Sequence, residues 1–449
     1  MSKISVIMPC LNVANYIKKC MDSVVGQTWK DIEVLVVDAG STDGTRQILE
    51  EYRKRDSRVH ILTSDKKSYG YQMNLGIARA KGEYIGIVET DDFVGQDMFE
   101  RLYTKAVATK ADYVKGTSVG FYQGLNETKW TFPIIPCGKL SEASEVITVP
   151  KEMPWLFLSD NFLWNGIYRR EFMQRIRFHE TSGAAFQDIG ALFQIISRAE
   201  KGIYLNHLVY HYRQDNLGAS SYHKKSFDYT ISEYHYIAQF LNGLSEEWEK
   251  IYYLKMAGLC TDRFHFMGAS GEFWEESRGA ITELYRNLKQ AVEKGIVDER
   301  DCNLWQVSLW EELSLFLNDP ITLFLYNRDN YNRKREELEN IEEIARTHKV
   351  FIFGAGSLGQ FLYMYLILQG IHTVAAYCDN NRALQGKKLQ NLIVLTPEEA
   401  VHRAPDGYYL IAAGKNSREK MKVQLLEMGI EEKRIGFFSA GTDIRLLKK

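Results

Sequence analysis

Residues 82–92 read Gly-Glu-Tyr-Ile-Gly-Ile-Val-Glu-Thr-Asp-Asp, and this stretch decides the fold. Its apolar part, Tyr84 to Val88, predicts a short buried strand that runs into two adjacent carboxylates, Asp91 and Asp92. Strands of an open α/β sheet present ligand-binding groups at their carboxyl ends. A pair of aspartates there suits a hard divalent cation such as Mg²⁺ or Mn²⁺, which prefers oxygen ligands. Asp-Asp by itself also fits a solvent-exposed turn after a core strand.

The composition is that of a globular protein with several domains. The chain has 449 residues, of which 45% are hydrophobic, and two to four domains are expected. Its net charge of -2 gives no long-range attraction to nucleic acid or to an anionic membrane. Six scattered cysteines without a Cys-x-x-Cys pair argue against a zinc site and a disulfide framework. No signal peptide and no apolar run near the roughly 18 residues of a membrane span are evident, so a cytoplasmic location is expected.

Strand and helix patterns alternate through the first ninety or so residues. Apolar, β-rich runs at Ile4–Met8, Ile32–Val37 and 59–62 predict strands, and 71–80 predicts a helix before the opening stretch. The second strand ends in a loop, residues 38–45, that is dense in turn and capping residues. This alternation indicates an α/β fold with a parallel sheet and helices on both of its faces.

Residues 3 to about 223 resemble a family 2 nucleotide-sugar glycosyltransferase with the GT-A fold. Each matching segment is weak by itself, but all of them occur in the expected order within about ninety residues. The segments are Ile7-Met8-Pro9-x-Leu11-Asn12, Val37-Asp38-Ala39-Gly40-Ser41-Thr42-Asp43-Gly44-Thr45, Asn74-x-Gly76-x-x-x-Ala80-x-Gly82-Glu83-Tyr84 and Thr90-Asp91-Asp92.

The resemblance implies a nucleoside diphosphate sugar donor, expected to be a UDP-sugar. It implies that Asp38 lies near the base and ribose, and that Asp91 helps to hold the ribose and the metal. Asp92 would be the main ligand of Mn²⁺ or Mg²⁺, which would bridge the diphosphate oxygens. Pro9, Leu11 and Asn74 belong to the same donor-binding motifs.

Two departures from the family pattern bear on the donor. Ala39 stands where many relatives have a base-contacting carboxylate, and Met73 stands where many have a diphosphate-binding arginine. Lys66, Lys67 or Arg213 would have to replace that arginine. These changes bear on the preference for uridine more than on activity.

The acceptor side of the resemblance begins at 162–170, an aromatic-rich segment. There Trp164 is either a sugar-stacking ring or a core residue, and Asn165 joins it as an expected substrate contact. At 183–190 the family has a Glu-Asp pair whose aspartate is the general base. Gln187 replaces the glutamate here, while Asp188 remains as the expected base.

A third motif lies at 213–221. Relatives often have Tyr-Arg-x-His-x-x-Ser here, with the histidine as a further metal ligand. Asp215 occupies that position, and a carboxylate also ligates Mg²⁺ or Mn²⁺. Arg213 and Ser220 would then contact the diphosphate.

The rest of the chain predicts two further parts, which gives a division into 1–223, 224–345 and 346–449. Residues 224–345 have helical spacing and predict a helical insert, by default a spacer, with membrane-surface association or dimer formation left open. From residue 349 the chain reads strand, Gly354-x-Gly356-x-x-Gly359, helix, strand and Asp379. This pattern predicts a small Rossmann-like unit that either binds a nucleotide or serves only as a scaffold.

The sequence thus predicts a cytosolic, metal-dependent, inverting glycosyltransferase of surface polysaccharide biosynthesis. The acceptor would be a hydroxyl of a glycan or of a lipid-linked glycan, with a location at the inner face of the membrane left open, and no nucleic acid partner is expected. Two alternatives stay open. One is an NAD-dependent oxidoreductase or epimerase centred on 349–449, although no redox pair accompanies the glycines. The other is a binding protein on a degenerate transferase fold, which the residues Ala39, Met73 and Gln187 motivate.

Overall fold

A computed structural model of the protein describes residues 2–123, 129–141, 143–183, 186–216 and 224–447. Within these residues the chain forms two compact units. The first comprises Met1–Gly120, Pro133–Phe264 and Phe273–Leu323, and the second comprises Phe121–Phe132, His265–Glu272 and Phe324–Lys449. The motifs that resemble the transferase family therefore lie in the first unit.

The larger of two sheets contains ten strands. They are β1 Ile4–Cys10, β2 Ile32–Asp38, β3 Val59–Thr63, β4 Tyr84–Ile87, β5 Phe93–Val94, β6 Tyr113–Gln123, β7 Lys129–Ile134, β8 Glu145–Thr148, β9 Gly166–Arg169 and β10 Gly202–Arg213. Their order is β3-β2-β1-β4-β9-β6-β10-β5, with β7 paired to β6 and β8 paired to β10.

Helices accompany these strands and then continue beyond them. They are α1 Ile17–Val25, α2 Thr45–Arg55, α3 Tyr69–Arg79, α4 Met98–Thr109, α5 Leu156–Ser159, α6 Arg170–Met173, α7 Gln187–Arg198, α8 Ser226–Ala238, α9 Glu246–Ser270, α10 Arg278–Glu293, α11 Glu299–Trp305 and α12 Leu309–Asn318. In the described part of the chain, no helix has both the length and the apolarity that crossing a bilayer requires.

The apolar runs of the sequence form the centre of this sheet. Every residue of β1 and β2 is buried, and the two strands pair in parallel from Ile4–Ile32 to Cys10–Asp38. Strands that are covered on both faces have continuous apolar sequences, which is why these runs could be located from the sequence.

The order of the strands reverses beside β1. Strands β2 and β3 lie on one side of β1, and β4 lies on the other side, parallel to it. A crevice for ligands forms outside the carboxyl ends of the strands at such a reversal. Asp91 and Asp92 follow β4 within a few residues, so the topology places both carboxylates at this crevice.

The parallel pairing that the first ninety residues predict is confirmed for β1 to β4, and antiparallel pairing follows beyond β4. Strand β9 is antiparallel to β4, β6 is antiparallel to β9, and β10 is antiparallel to β8 and β5. Antiparallel pairing does not require a crossover helix, so strands joined by short segments can adopt it.

The helices after residue 224 do not form a separate insert. Phe193 of α7 contacts Trp248 of α9 edge-on, with ring centroids 5.3 Å apart, and Phe264 contacts Phe316 of α12 at 5.4 Å. The first unit accordingly includes α8, α9 as far as Phe264, and α10 to α12. It therefore continues past the predicted boundary at residue 223 and, apart from residues 121–132 and 265–272, extends to residue 323.

The second unit contains a six-stranded sheet. Its elements are α13 Pro320–Thr347, β11 Val350–Phe353, α14 Ser357–Leu368, β12 Val374–Cys378, β13 Lys388–Leu389, β14 Leu392–Leu395, α15 Pro397–Arg403, β15 Tyr408–Ile411, α16 Lys415–Glu427 and β16 Ile435–Phe437. The order is β13-β14-β12-β11-β15-β16, and all pairs except β13–β14 are parallel. This is a doubly wound arrangement, with its reversal between β11 and β15.

The core of this unit includes the last turns of α13. Leu338, Ile341 and Ala345 are buried with Ile352 and Leu362 in one apolar cluster. Burying a leucine or isoleucine side chain stabilises the fold by about 1.5–3 kcal/mol. The predicted boundary at residue 346 would remove these residues from the core to which they belong.

Candidate active site

Asp38 lies at the carboxyl end of β2, as predicted, but its carboxylate already has partners. Its Oδ1 accepts hydrogen bonds from the backbone N–H of Ser41 at 3.0 Å and from the Ser41 hydroxyl at 2.7 Å. Arg46 approaches its Oδ2 at 3.4 Å. The side chain therefore fixes the turn after β2, and its contact with a nucleotide base or ribose stays a prediction.

The loop after β1 is bonded to the loop after β2. The Thr42 N–H donates to the Asn12 Oδ1 at 2.8 Å, the Asn12 N–H donates to the Ser41 Oγ at 2.9 Å, and the Ala14 N–H donates to an Asp43 oxygen at 2.9 Å. Leu11 lies half-buried in this connection. The two predicted donor loops thus form one wall of the crevice.

The stretch after β4 is tied to β1 and to β10. The Thr90 hydroxyl donates to the carbonyl oxygen of Pro9, a buried residue, at 2.9 Å. Asp92 is 1% exposed; its Oδ2 accepts from the Tyr210 hydroxyl at 2.9 Å, and its Oδ1 accepts from the Arg213 N–H at 2.7 Å. Asp91 accepts a bond of 2.8 Å from Asn216.

Negative charge is concentrated at this point. Burial raises the pKa of Asp92 well above its usual range, and the charge of Asp91 raises it further. Burial also raises the pKa of Glu89 to about 8, with smaller contributions from Asp91 and Asp188. The Tyr69 hydroxyl donates to the Glu89 Oε1 at 2.8 Å. Several acids therefore share one partly desolvated space.

Asp215 is not assembled with Asp91 and Asp92 as a third ligand. Its Oδ1 accepts a bond of 2.9 Å from the Arg213 guanidinium, which also donates to the Asp91 carbonyl oxygen at 2.9 Å and lies 4.9 Å from the Tyr16 ring centroid. Among the described residues, no three histidine, cysteine or acidic side chains are arranged to hold one metal ion. Ser220, the predicted diphosphate contact, lies outside the described residues.

The remaining pair still fits a divalent cation. Asp91 and Asp92 are adjacent carboxylates at a strand end, and Mg²⁺ is commonly held by one or two carboxylates together with substrate phosphates. A cation there would relieve the mutual repulsion that raises the pKa of Asp92. The donor set therefore matches a cation that arrives with a diphosphate.

Asp188 lies in the first turn of α7. Phe186, the residue before the helix, has a positive φ of 64°, which turns the chain sharply into the helix. Burial raises the pKa of Asp188 to about 6; the charge of Glu233 raises it further and that of Lys255 opposes it. Its negative charge also raises the pKa of Glu89, so the two acids lie within electrostatic reach. The fold thus brings the predicted base to the acids after β4.

Gln187 has a structural reason to replace the family's glutamate. Its Oε1 accepts from the Gly70 N–H at 2.9 Å, while its Nε2 donates to the carbonyl oxygen of Thr181 at 3.0 Å. Because a carboxylate has no hydrogen to donate, a glutamate could make only the first of these bonds. Gln187 therefore joins the start of α3 to the segment before the base.

Asn74 and Met73 also make contacts that stabilise the fold. Asn74 donates to the Phe178 carbonyl oxygen and accepts from the Phe178 N–H, both at 3.0 Å. Met73 is fully buried, so its position faces the core. Lys66 pairs with Glu180 at 3.1 Å, and Lys67 is exposed. A replacement for the family's diphosphate arginine stays a prediction.

Trp164 and Asn165 are buried, which favours the core interpretation. The Trp164 ring is 5% exposed and stacks on Tyr210 and Phe162, with centroids 4.1 and 4.5 Å away. Asn165 is fully buried and donates to the Gly116 carbonyl oxygen at 3.0 Å. These contacts leave little of either side chain to meet a sugar.

Five residues that bond to or electrostatically influence the predicted acids were not recognised from the sequence as site residues. They are Tyr69, Glu89, Tyr210, Glu233 and Lys255. Glu89 stood beside the Asp91-Asp92 pair, so a third acid in four residues was a usable signal. Tyr210 resembles any other core aromatic in a strand. Acids and lysines in helical segments normally face solvent, so Glu233 and Lys255 gave no signal.

In the second unit, the glycine-rich loop and Asp379 are engaged in contacts within the unit. Asp379 accepts from the Ala355 N–H and from the Asn381 N–H, both at 2.7 Å. A Cβ at Gly359 would overlap the Gly354 carbonyl oxygen, and a Cβ at Gly354 would meet the Ala412 carbonyl oxygen at 2.5 Å. Close packing thus accounts for two of the glycines, and nucleotide binding at Gly354, Gly356, Gly359 and Asp379 stays a prediction.

Gly359→Ala is expected to destabilise the protein by about 1–3 kcal/mol, because the added methyl overlaps backbone that cannot move away. Gly356→Ala is the matched control, since no atom lies within 4 Å of its Cβ and its φ of -75° suits alanine. Calorimetry of the full-length variants measures the difference in unfolding temperature. Equal unfolding temperatures would show that close packing does not account for Gly359.

Comparison with known proteins identifies the family that the first unit resembles. The profile of the family "Glycosyl transferase family 2" matches residues 5–179, and that of "C2185-like, N-terminal" matches residues 346–436. Glycosyltransferase GlyG of Streptococcus pneumoniae is 31% identical over 219 residues, 47% of this chain and 70% of that protein. Glycosyltransferase GlyA of the same organism is 31% identical over 224 residues, but the match spans only 30% of its length.

The fold has a counterpart of known structure. S. aureus TarS superposes with a TM-score of 0.52 and 19% identity over 73% of this chain and 55% of that chain. This likeness supports the predicted α/β fold class. The family profile covers the motifs from Pro9 to Asp92, and GlyG is a 31% identical relative of which this chain covers 70%. The chain therefore belongs to the family 2 glycosyltransferases.

Proposed function

We propose that the first unit transfers a sugar, with inversion, from a nucleoside diphosphate sugar to a hydroxyl of a glycan or lipid-linked acceptor. UDP-sugars are the expected donors, and a polymer of the cell surface is the expected product. One observation carries this proposal. Glu89, Asp91 and Asp92 follow β4 at the reversal of strand order, and Asp188 is electrostatically coupled to the same group.

The crevice offers complementary surroundings for the two parts of a donor. The loops after β1 and β2 border the position for the nucleoside, with Asp38 at their base. Asp91 and Asp92 would hold Mn²⁺ or Mg²⁺, which supplies positive charge to the diphosphate oxygens when bound. The buried Arg213, which contacts both Asp91 and Asp215, keeps this acidic group oriented.

Asp188 would act as the general base. Its carboxylate takes the proton of the acceptor hydroxyl while that oxygen bonds to the anomeric carbon. The bond from that carbon to the diphosphate oxygen breaks in the same step, and the nucleoside diphosphate leaves with the electron pair. Because attack and departure occur on opposite faces, an α-linked donor gives a β-linked product.

The degenerate-fold alternative is weakened by where its motivating residues lie. Ala39, Met73 and Gln187 are each at most 3% exposed, so the departures from the family pattern affect packing. The oxidoreductase alternative depends on the second unit, where Asp379 is bonded to the loop that would receive a dinucleotide. The oxidoreductase alternative also makes no use of the acids beside β4.

A panel of nucleotide sugars, measured by thermal shift with and without Mn²⁺, tests the proposal. A bound donor stabilises the folded state by about 2.7 kcal/mol at one hundred times its Kd. We expect one UDP-sugar to raise the unfolding temperature only when Mn²⁺ is present. NMR of the sugar released by slow hydrolysis should show the inverted anomer first. Stabilisation by NAD(P)H alone would support the oxidoreductase instead.

The rate of donor turnover is expected to fall as the pH is lowered through about 6. Asp188 accepts a proton only when it is ionised, and its pKa is raised to about 6. The activity it supports is therefore present above this pH and lost below it. Measuring kcat/KM from pH 4.5 to 8, with circular dichroism as a control for folding, checks this. A constant rate down to pH 5 would contradict the assignment.

A further inference from the structure

Helices α8 and α9 bring two buried charged residues to the helix that carries the base. Glu233 of α8 is 1% exposed, and Lys255 of α9 is 4% exposed. Charged side chains are rarely buried to this degree unless they are paired or have a specific role. Neither residue belongs to the motifs that resemble the family.

Glu233 is bonded to the first turn of α7. Its Oε1 accepts from the Gly190 N–H at 3.0 Å, and its Oε2 lies 3.0 Å from the His179 Nδ1. The His179 ring in turn stacks on Tyr236, with centroids 4.4 Å apart. A Cβ at residue 190 would overlap the Glu233 Oε1, so the glycine permits this close approach. Glu233 thereby fixes the turn that carries Asp188.

Lys255 reaches the same region from α9. Its ammonium donates to the Leu158 carbonyl oxygen at 3.3 Å and to the Asn161 side-chain oxygen. It also lies 5.3 Å from the Phe157 ring centroid, and Phe157 packs edge-on against Phe193 of α7 at 5.3 Å. Both hydrogen-bond acceptors are neutral, and two carboxylates act on the Lys255 charge, Asp160 more strongly than Asp188.

We propose that Glu233 and Lys255 are positioning residues for Asp188: Glu233 fixes its helical turn through the Gly190 N–H, and Lys255 places a buried positive charge beside Phe157, which packs against the same helix. The inference rests on the proposed function, since it takes Asp188 as the base. It assigns to α8 and α9 a direct part in the transferase site, in place of the spacer that their sequence suggested.

The surroundings of Asp188 are consistent with this role. Glu233 raises its pKa, while Lys255 lowers it. The titratable groups whose charge interacts with Asp188 come from five separate elements: Tyr69 of α3, Glu89 after β4, Tyr212 of β10, Glu233 of α8 and Lys255 of α9. Among them Lys255 is the cation, so its removal and the removal of Glu233 should act in opposite directions.

The test is the pH dependence of UDP-sugar hydrolysis by the full chain, using the sugar that gives the largest Mn²⁺-dependent thermal shift. Glu233→Gln keeps an acceptor for the Gly190 N–H but removes the charge, so the acidic limb of kcat should move to lower pH. Lys255→Met should move it to higher pH. Each shift is expected to be about one pH unit.

Further variants separate position from charge. Glu233→Ala loses the acceptor as well and should lower kcat about tenfold below Glu233→Gln, with little change in the donor KM. Lys255→Arg should restore the wild-type profile. Lys250→Met, on the same helix but paired with Asp301 at 2.9 Å, is the matched control and should not shift the profile.

If Asp188→Asn abolishes turnover, two outcomes would overturn the inference. One is that the profiles of Glu233→Gln and Lys255→Met shift in the same direction, and the other is that they do not shift although both variants are folded. If Asp188→Asn keeps turnover, the proposed base has failed instead. If Glu233→Gln does not fold, Lys255→Met and Lys255→Arg decide the question by themselves, because an unshifted Lys255→Met profile would overturn the charge role.

Discussion

Asp188→Asn is expected to lower the turnover of the donor by about 10²–10⁴-fold, the usual contribution of a positioned general base. Asparagine has nearly the same shape as aspartate but cannot take the proton of the attacking hydroxyl. The KM of the donor should change little, because the residue acts on the acceptor oxygen. Steady-state release of nucleoside diphosphate, measured with Mn²⁺ at pH 7.5, gives both constants.

An acid in the first turn of a helix also stabilises the helix dipole, so this effect needs its own control. Glu299→Gln provides it, because Glu299 is exposed in the first turn of α11. We expect wild-type turnover from this variant. An Asp188→Asn protein that keeps more than about a third of wild-type turnover would exclude Asp188 as the base.

Asp92→Asn is expected to remove most of the metal-dependent activity. A bound cation supplies several kcal/mol of transition-state stabilisation, which corresponds to roughly a 10³-fold loss of rate. The single oxygen of asparagine can still accept from either the Tyr210 hydroxyl or the Arg213 N–H, so one of the two hydrogen bonds that join residue 92 to β10 should survive. A Mn²⁺ titration of donor turnover, with isothermal calorimetry of metal and UDP, measures the loss.

Tyr210→Phe is the matched control for Asp92→Asn. It removes the bond to the Asp92 Oδ2 but keeps the carboxylate, so its apparent affinity for Mn²⁺ should change far less. Full turnover of the wild-type protein in excess chelator would rule out the metal assignment altogether. If the Mn²⁺ titration of Asp92→Asn is the same as that of the wild-type protein, only Asp92 is excluded as a metal ligand.

The acid-rich end of β4 illustrates what is readable from a sequence. Tyr84 to Val88 is apolar because the strand is covered on both faces, and the acids follow it within the same short stretch. Strand, turn and carboxylates are therefore local features of the chain. The same holds for the turn at Asp38, whose bonds to Ser41 span three residues.

Asn74 and Trp164 illustrate the opposite case. Both occupy positions at which the family resemblance implies ligand contacts, yet Asn74 bonds to Phe178 and Trp164 stacks on Tyr210. Their partners are far away in the sequence, so no local pattern shows that these side chains are already engaged. Asp379 is a similar case. Its carboxylate was expected to bind a nucleotide, but it accepts a hydrogen bond from the Ala355 N–H in the glycine-rich loop.

The sequence by itself determined the family, the α/β class and the position of Asp91 and Asp92 directly after a buried strand. These follow from apolar runs and turn residues, whose effects act between neighbours in the chain. Only the tertiary structure decided which polar side chains have internal partners, that Asp215 pairs with Arg213, and that Glu233 and Lys255 adjoin Asp188. Burial and charge pairing arise from contacts between distant segments, so they exist only once the chain has folded.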